Sequence, residues 1–332
     1  MKEMLSSHFM PSVKGMNTIM NKIIKLEPVF KYRVWGGTKL KEYFNYDIPT
    51  DKTGEAWAIS AHKNGDCFIK NEEFKGKTLS WLYENHREYF GNVQYKEFPL
   101  LVKLIDASND LSIQVHPDDQ YADSMENGQL GKTEAWYIIA CNEDAVLEYG
   151  HNAKSKKELI DYINEGRWNE LLKFKNIKEG DFFYIPSGTV HAICKNTLIY
   201  EIQQSSDVTY RVYDYDRVDK NTGEKRELHI EKAVDVIKVP YSDENNMMSV
   251  KKKGDGYIKT EYVNSKYFKT EKFDIDECAN LENKAKFALV TVVEGKGTLD
   301  GEEIKKGDNF IIPYGYSKFQ IKGKVSFIVS SI

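Results

Sequence analysis

The sequence predicts a mainly β protein built as two related barrels, with a few helices inserted in and after the first. Short runs of alternating polar and apolar residues, bounded by glycine or proline, fill residues 20–104 and return after residue 266. One unit occurs twice: Gly180-Asp181-x4-Pro186-x-Gly188-x2-His191 matches Gly307-Asp308-x4-Pro313-x-Gly315-x2-Lys318 position for position. Two copies of a glycine turn, an apolar strand and a Pro-x-Gly turn argue for two β-barrel domains. The second copy carries Lys318 where the first has His191, so the turn itself does not require a histidine.

Residues 1–19 have no continuous apolar stretch of the secretory kind and are expected to be a disordered extension outside the fold. The first domain is placed at residues 20–240 and the second at residues 241–332. Within the first, Leu79, Leu82, Tyr83, His86 and Phe90 recur at helical spacing before Gly91, which predicts a helix over residues 79–90 with His86 at its surface or edge. Residues 98–105 form an apolar run broken by Lys103 alone, and a lysine there is costly unless it is paired or faces a polar cavity. Residues 111–116 alternate, which puts Ser112, Gln114 and His116 on one strand face before Pro117 stops it. A short helix is expected over residues 118–127, and Glu134 opens the next strand. Ser155-x-x-Glu158 is a capping box for a helix to about Asn164, and residues 168–174 continue helically. His191 closes the repeated unit. Strands follow at residues 198–204 and 210–217, a helix at 229–239, and linker composition at 242–246. Residues 267–270, 288–293, 297–299 and 310–312 read as strands of the second domain.

If the strands bearing Gln114, His116, Glu134 and His191 line one barrel, an amide oxygen, two imidazoles and a carboxylate converge. Such a set suits a borderline divalent ion such as zinc, which accepts nitrogen and oxygen and can keep a position open for water or substrate. The second repeat lacks the equivalent residues, so one ion per chain is expected.

The net charge of −4 provides no basic field for nucleic acid. The four cysteines are far apart with no Cys-x-x-Cys pair, which fits reduced thiols in a cytosol. No apolar run approaches the ~20 residues that span a bilayer. The expected partner is a small molecule, with the chain a monomer or weak homo-oligomer.

Gly-x5-Pro-x-Gly-x2-His resembles the second motif of the cupin superfamily, a double-stranded β-helix or jelly roll that holds metals inside its barrel. That motif continues with three residues and an asparagine, whereas Asn196 follows here after four. Trp35-Gly36-Gly37, Gly54-Glu55-Ala56-Trp57, Gln114-Val115-His116-Pro117, Gly131-Lys132-Thr133-Glu134 and Thr209-Tyr210-Arg211-Val212-Tyr213-Asp214 resemble, more specifically, the type I mannose-6-phosphate isomerases in their short bacterial form. This resemblance runs from about Met20 to the end of the chain. It implies zinc held by Gln114, His116, Glu134 and His191, active-site Lys132 and Arg211, and substrate contacts from Ser112 and Lys103. It also implies a C-terminal cupin-like structural domain without metal ligands.

The implied activity interconverts mannose 6-phosphate and fructose 6-phosphate by moving a proton between C1 and C2 through an enediolate. A divalent ion and nearby cations would meet its negative oxygens, and a planar arginine fork can bind oxyanions or phosphate in bidentate fashion. Two other readings are a non-haem iron oxygenase, whose triad is also two histidines and a carboxylate, and a sugar-phosphate-binding cupin without turnover. Gln114 as a fourth ligand argues against the first, because oxygen activation needs several open positions. No DNA-binding segment accompanies the barrels, which lowers a regulatory role.

Overall fold

Alternation along one strand decides how the chain divides its core. In the strand Leu100–Ala107 every residue is buried, yet Leu100, Val102 and Leu104 pack with one set of neighbours while Ile105 and Ala107 pack with another. Successive side chains leave a strand on opposite faces, so this sheet is covered on both sides. That explains the unbroken apolar run around Lys103. The protein is described here as a computed structural model covering residues 22–219, 222–243 and 249–332. The expected extension over residues 1–19 lies outside these residues, as does most of the expected linker.

The sheet containing this strand has six members, in the order Phe182–Ile185, Glu134–Cys141, Thr197–Gln204, Leu100–Ala107, Thr53–Ile59 and Val29–Gly37. Facing it is a five-stranded sheet ordered Leu172–Asn176, Val146–His151, His191–Ile193, Ile113–Val115 and Tyr210–Tyr213. All pairings are antiparallel. Ile105, Trp136 and Ile138 of the first sheet meet Leu147, Tyr149 and Ile193 of the second in one core, which closes the first barrel. The opposite face of the six-stranded sheet, including Leu104, Tyr200 and Ile202, packs on Leu289, Ile311 and Ile328 of the C-terminal sheet. Each fully buried Leu or Ile contributes roughly 1.5–3 kcal/mol. A one-residue slip would exchange these two rows, so the register is tightly specified.

Among the described residues the C-terminal sheet has ten strands, with Lys318–Ser331 and Ala288–Leu299 at its centre. Its core holds Val290, Val292, Phe310, Ile321 and Phe327. Ile24–Glu27 also joins it, pairing with Asn309–Ile312 through Ile24↔Ile311. The N-terminal strand therefore crosses the boundary drawn at residue 240.

The two repeated units fold alike. Gly180 and Gly307 both have positive φ, at 88° and 91°, as do Gly188 and Gly315, at 82° and 89°. Asp181 accepts from the Lys178 amide at 2.9 Å, and Asp308 from the Lys305 amide at 2.9 Å. Glycine is needed at position 188 for a second reason, since a Cβ there would come within 2.8 Å of the Val236 carbonyl oxygen.

The helices are shorter than the sequence suggests. Residues 79–90 split into the α-helix Leu79–Asn85, capped by Thr78, and the 3-10 turn Arg87–Phe90. Asp118 caps Asp119–Met125, and Ser155 caps Lys156–Asn164. The Ser155 side chain accepts from the Glu158 amide at 3.2 Å, while Glu158 accepts from the Lys154 amide at 2.6 Å. The expected helix over residues 168–174 is corrected: it ends at Leu171, and Leu172–Asn176 pairs with Val146–His151. An edge position in the five-stranded sheet overrides the helical spacing there.

Candidate active site

His116, Glu134 and His191 come together from three strand ends of the first barrel. His191 is paired in register with Gln114 across the five-stranded sheet, and the Gly188 amide donates to the His116 carbonyl at 2.9 Å. The Pro-x-Gly turn is thus stitched to the Gln-x-His strand. One ring nitrogen of each histidine and one carboxylate oxygen of Glu134 all lie within 4.8 Å of one another, and all three residues are buried. His116 Nε2 is 3.4 Å from Glu134 Oε2, and His191 Nε2 is 3.3 Å from Glu134 Oε1. Each Nδ1 donates outward at 2.9 Å, from His116 to the Val208 carbonyl and from His191 to the Thr189 carbonyl. Such second contacts fix the tautomer and leave the Nε2 lone pairs directed at the centre.

This donor set fits a divalent metal. Glu134 Oε1 is buried with no hydrogen-bond partner among the described residues, a costly arrangement that a cation between it and the imidazoles would relieve. Burial, then the Lys132 ammonium, push His116 down to about 3, so it stays neutral as a ligand must be. Burial likewise lowers His191. Burial alone would raise Glu134, but the Lys132 ammonium outweighs it and holds the carboxylate well below its usual range. The Gln114 side-chain nitrogen is 3.3 Å from His191 Nε2. A half-turn of that amide would present its oxygen to the same centre.

A cavity of about 490 Å³ opens beside the triad. All four of the remaining sequence-selected residues, Ser112, Lys103, Lys132 and Arg211, line it. Lys132 precedes the strand Glu134–Cys141 rather than lying on it. Its ammonium is 2.5 Å from Glu134 Oε2 and 3.0 Å from His116 Nε2. The buried Lys103 ammonium lies 3.2 Å from Glu201 Oε1, its partner in register, and 5.3 Å from the centre of the Trp57 ring. Lys103 therefore faces a polar cavity and is paired as well. Arg211, directly opposite Gln114 in register, donates through Nη1 to the Glu227 carbonyl at 2.7 Å. Its Nε is buried without a hydrogen-bond partner among the described residues. A salt bridge from Arg211 to Asp214 does not form, because Asp214 is taken by Arg217 and Arg226.

Six further charged residues of the lining were not singled out from sequence: Arg33, Glu55, Glu201, Asp207, Asp219 and Arg226. Glu201 carried a legible signal, being the lone charge among Leu198, Ile199, Tyr200 and Ile202. Its Oε2 accepts from the Trp136 indole at 2.9 Å. Burial, then the Glu134 charge, weaken its acidity against the pull of Lys103. Conversely, burial would lower Lys103, but Glu201, Glu55 and Asp207 prevail and hold it charged.

The catalytic-domain description of type I phosphomannose isomerase matches residues 23–138, and the cupin-domain description of mannose-6-phosphate isomerase matches residues 258–332. A Bacillus subtilis protein called putative mannose-6-phosphate isomerase YvyI is 51% identical over 313 residues, which are 93% of this chain and 98% of that protein. The chain belongs to the type I phosphomannose isomerases. Mannose-6-phosphate isomerase ManA, also from Bacillus subtilis, is 48% identical over 310 residues, covering 92% of this chain and 98% of the relative. The crystal structure of a mannose 6-phosphate isomerase from Bacillus subtilis superposes with a TM-score of 0.91 at 50% identity, over 93% of this chain and 99% of the other. The mainly β architecture with a cupin-type barrel is thereby that of this isomerase family. All four cysteines are free, and no helix among the described residues is long and apolar enough to cross a membrane.

Proposed function

We propose that this phosphomannose isomerase interconverts mannose 6-phosphate and fructose 6-phosphate in the cytosol, using one zinc ion per chain held by Gln114, His116, Glu134 and His191. The observation that carries the reading is the buried His–Glu–His centre beside a cavity lined by Lys103, Lys132 and Arg211, in a chain about half identical to isomerases of that name. Catalysis is assigned to residues 20–240 and a structural role to residues 241–332, since the second repeat carries Lys318 in place of His191.

Bound zinc would supply Lewis-acid polarisation of the sugar oxygens at C1 and C2. The chain's own residues do the remainder. Arg211 and Lys132 offer positive charge to the oxygens that become negative as the proton leaves carbon, and preorganised charge of this kind stabilises the transition state. Ser112 and Lys103 contact the sugar hydroxyls. Glu201, with acidity weakened by burial and by Glu134, is assigned to holding the proton in transit, with the charged Lys103 ammonium 3.2 Å away as its partner.

The test is a coupled mannose 6-phosphate assay on metal-analysed protein. Chelation should abolish turnover and zinc should restore it, while Arg211→Lys should lower kcat by on the order of 10²–10³ with little change in KM. Full activity in metal-free protein would overturn the zinc assignment. A wild-type rate in the Arg211 variant would remove that residue from catalysis.

A further inference from the structure

Lys103 and Glu201 account for the buried end of the cavity, beside the triad, with side chains at most 6% exposed. The other end is more open: Arg33 and Arg226 also line it, with side chains 30% and 23% exposed. We propose that Arg226, together with Arg33, binds the phosphate of the substrate at this open end, with Asp214 and Glu55 as the residues that position the two guanidinium groups. The inference rests on the sugar-phosphate reading above, because a hexose 6-phosphate carries its dianion at the far end of the carbon chain from C1 and C2.

Both forks are held rigidly from behind. Arg33 gives Nε and Nη2 to the two oxygens of Glu55, each at 2.9 Å, and Nη1 to the Tyr32 carbonyl at 3.1 Å. Glu55 is itself fixed by the Trp57 indole at 2.7 Å. Arg226 gives Nε and Nη2 to Asp214 at 2.8 and 2.5 Å. A guanidinium has five N–H donors, so Arg226 keeps both Nη1 hydrogens free of any described partner. Planar, preorganised forks of this kind suit bidentate binding of phosphate.

The guanidinium groups at this end also crowd one another. Arg211 lies close enough for Arg226, Arg217 and Arg33 to oppose its charge. Burial first, and then these neighbours, pull it down to about 10 despite Asp214. Glu55 and Asp214 are each already engaged by guanidinium groups, Asp207 accepts from the Asn64 amide at 3.1 Å, and Asp219 from the Tyr32 hydroxyl at 3.3 Å. A dianion on the free donors of Arg226 would relieve the repulsion and leave Arg211 to meet the enediolate.

Arg226→Gln tests this with few structural side effects, since Asp214 retains Arg217. The ratio of kcat/KM for mannose 6-phosphate over unphosphorylated mannose should fall by about 10–100-fold, through KM, as expected for loss of a charge-assisted bidentate contact. Calorimetry should show a matching loss of affinity for inorganic phosphate, and Arg226→Lys should recover part of both. A ratio and a phosphate affinity within twofold of wild type would overturn the proposal, as would equal losses on the two sugars. If the wild-type enzyme does not turn over mannose 6-phosphate, the functional reading fails. Calorimetry of inorganic phosphate on the same proteins then still decides the subsite.

Discussion

Replacing Glu148 by glutamine should make the protein more stable, and only above acidic pH. Glu148 lies in the strand Val146–His151 with 6% of its surface exposed. One carboxyl oxygen accepts from the Tyr215 hydroxyl at 3.4 Å, and the other is buried without a partner. Burial, with a smaller push from Asp110 and against the Tyr215 hydrogen bond, raises it from 4.5 to about 7. At 1.36 kcal/mol for each pKa unit, the ionised form costs the fold ~3 kcal/mol. A raised folded-state pKa means that the contribution is intact below the unfolded value and is lost as pH rises through the folded one. The loss therefore runs between 4.5 and about 7 and is constant above. Glutamine imitates the protonated acid, so Glu148→Gln should exceed wild type by ~3 kcal/mol at pH 8 and by ~1 kcal/mol at pH 5. Urea unfolding followed by circular dichroism at the two pH values measures this. A gap independent of pH, or a variant less stable at pH 8, would refute the reasoning.

Metal analysis should find about one divalent ion per chain; His191→Ala should lose both ion and turnover, whereas Lys318→Ala, at an exposed position, should keep both. Equal losses at the two positions would make the second repeat a working site. Lys103→Met leaves Glu201 buried beside Trp136 alone and should lower stability by roughly 3–5 kcal/mol. Adding Glu201→Gln should recover much of that loss, and a strictly additive double variant would show that the pair is not coupled.

The readable part of the site was the part whose residue types are costly or unusual where they stand. Gln114, His116 and His191 sit beside prolines and a Pro-x-Gly turn, and the comparison of His191 with Lys318 showed that the turn does not require a histidine. Lys103 stood out as a charge in an apolar run, and the same argument applied to residues 198–202 would have found its partner Glu201. Arg33, Glu55 and Arg226 gave no such signal, because charges are ordinary in strands and loops of mixed composition. Only the pairing of Glu55 and Asp214 with arginines from other segments makes them a group. Short helices were read too long where a 3-10 turn or a sheet edge took over. The placement of Ile24–Glu27 in the C-terminal sheet was not legible either, since nothing local in a four-residue strand names its partner.

That placement sets a timetable for synthesis. Ile24–Glu27 leaves the ribosome about 280 residues ahead of Asn309–Ile312, a delay of roughly 15–60 s at ~5–20 residues per second. Throughout that interval the early strand has no mate. The outer face carrying Leu104, Tyr200 and Ile202 also waits for Leu289 and Ile328 to cover it. A nascent chain halted before residue 309 would present a sticky sheet face and an unclaimed strand at once. Chaperone demand during translation should therefore exceed that of the finished enzyme, and late frameshifts should be cleared as aggregates rather than persist as active fragments.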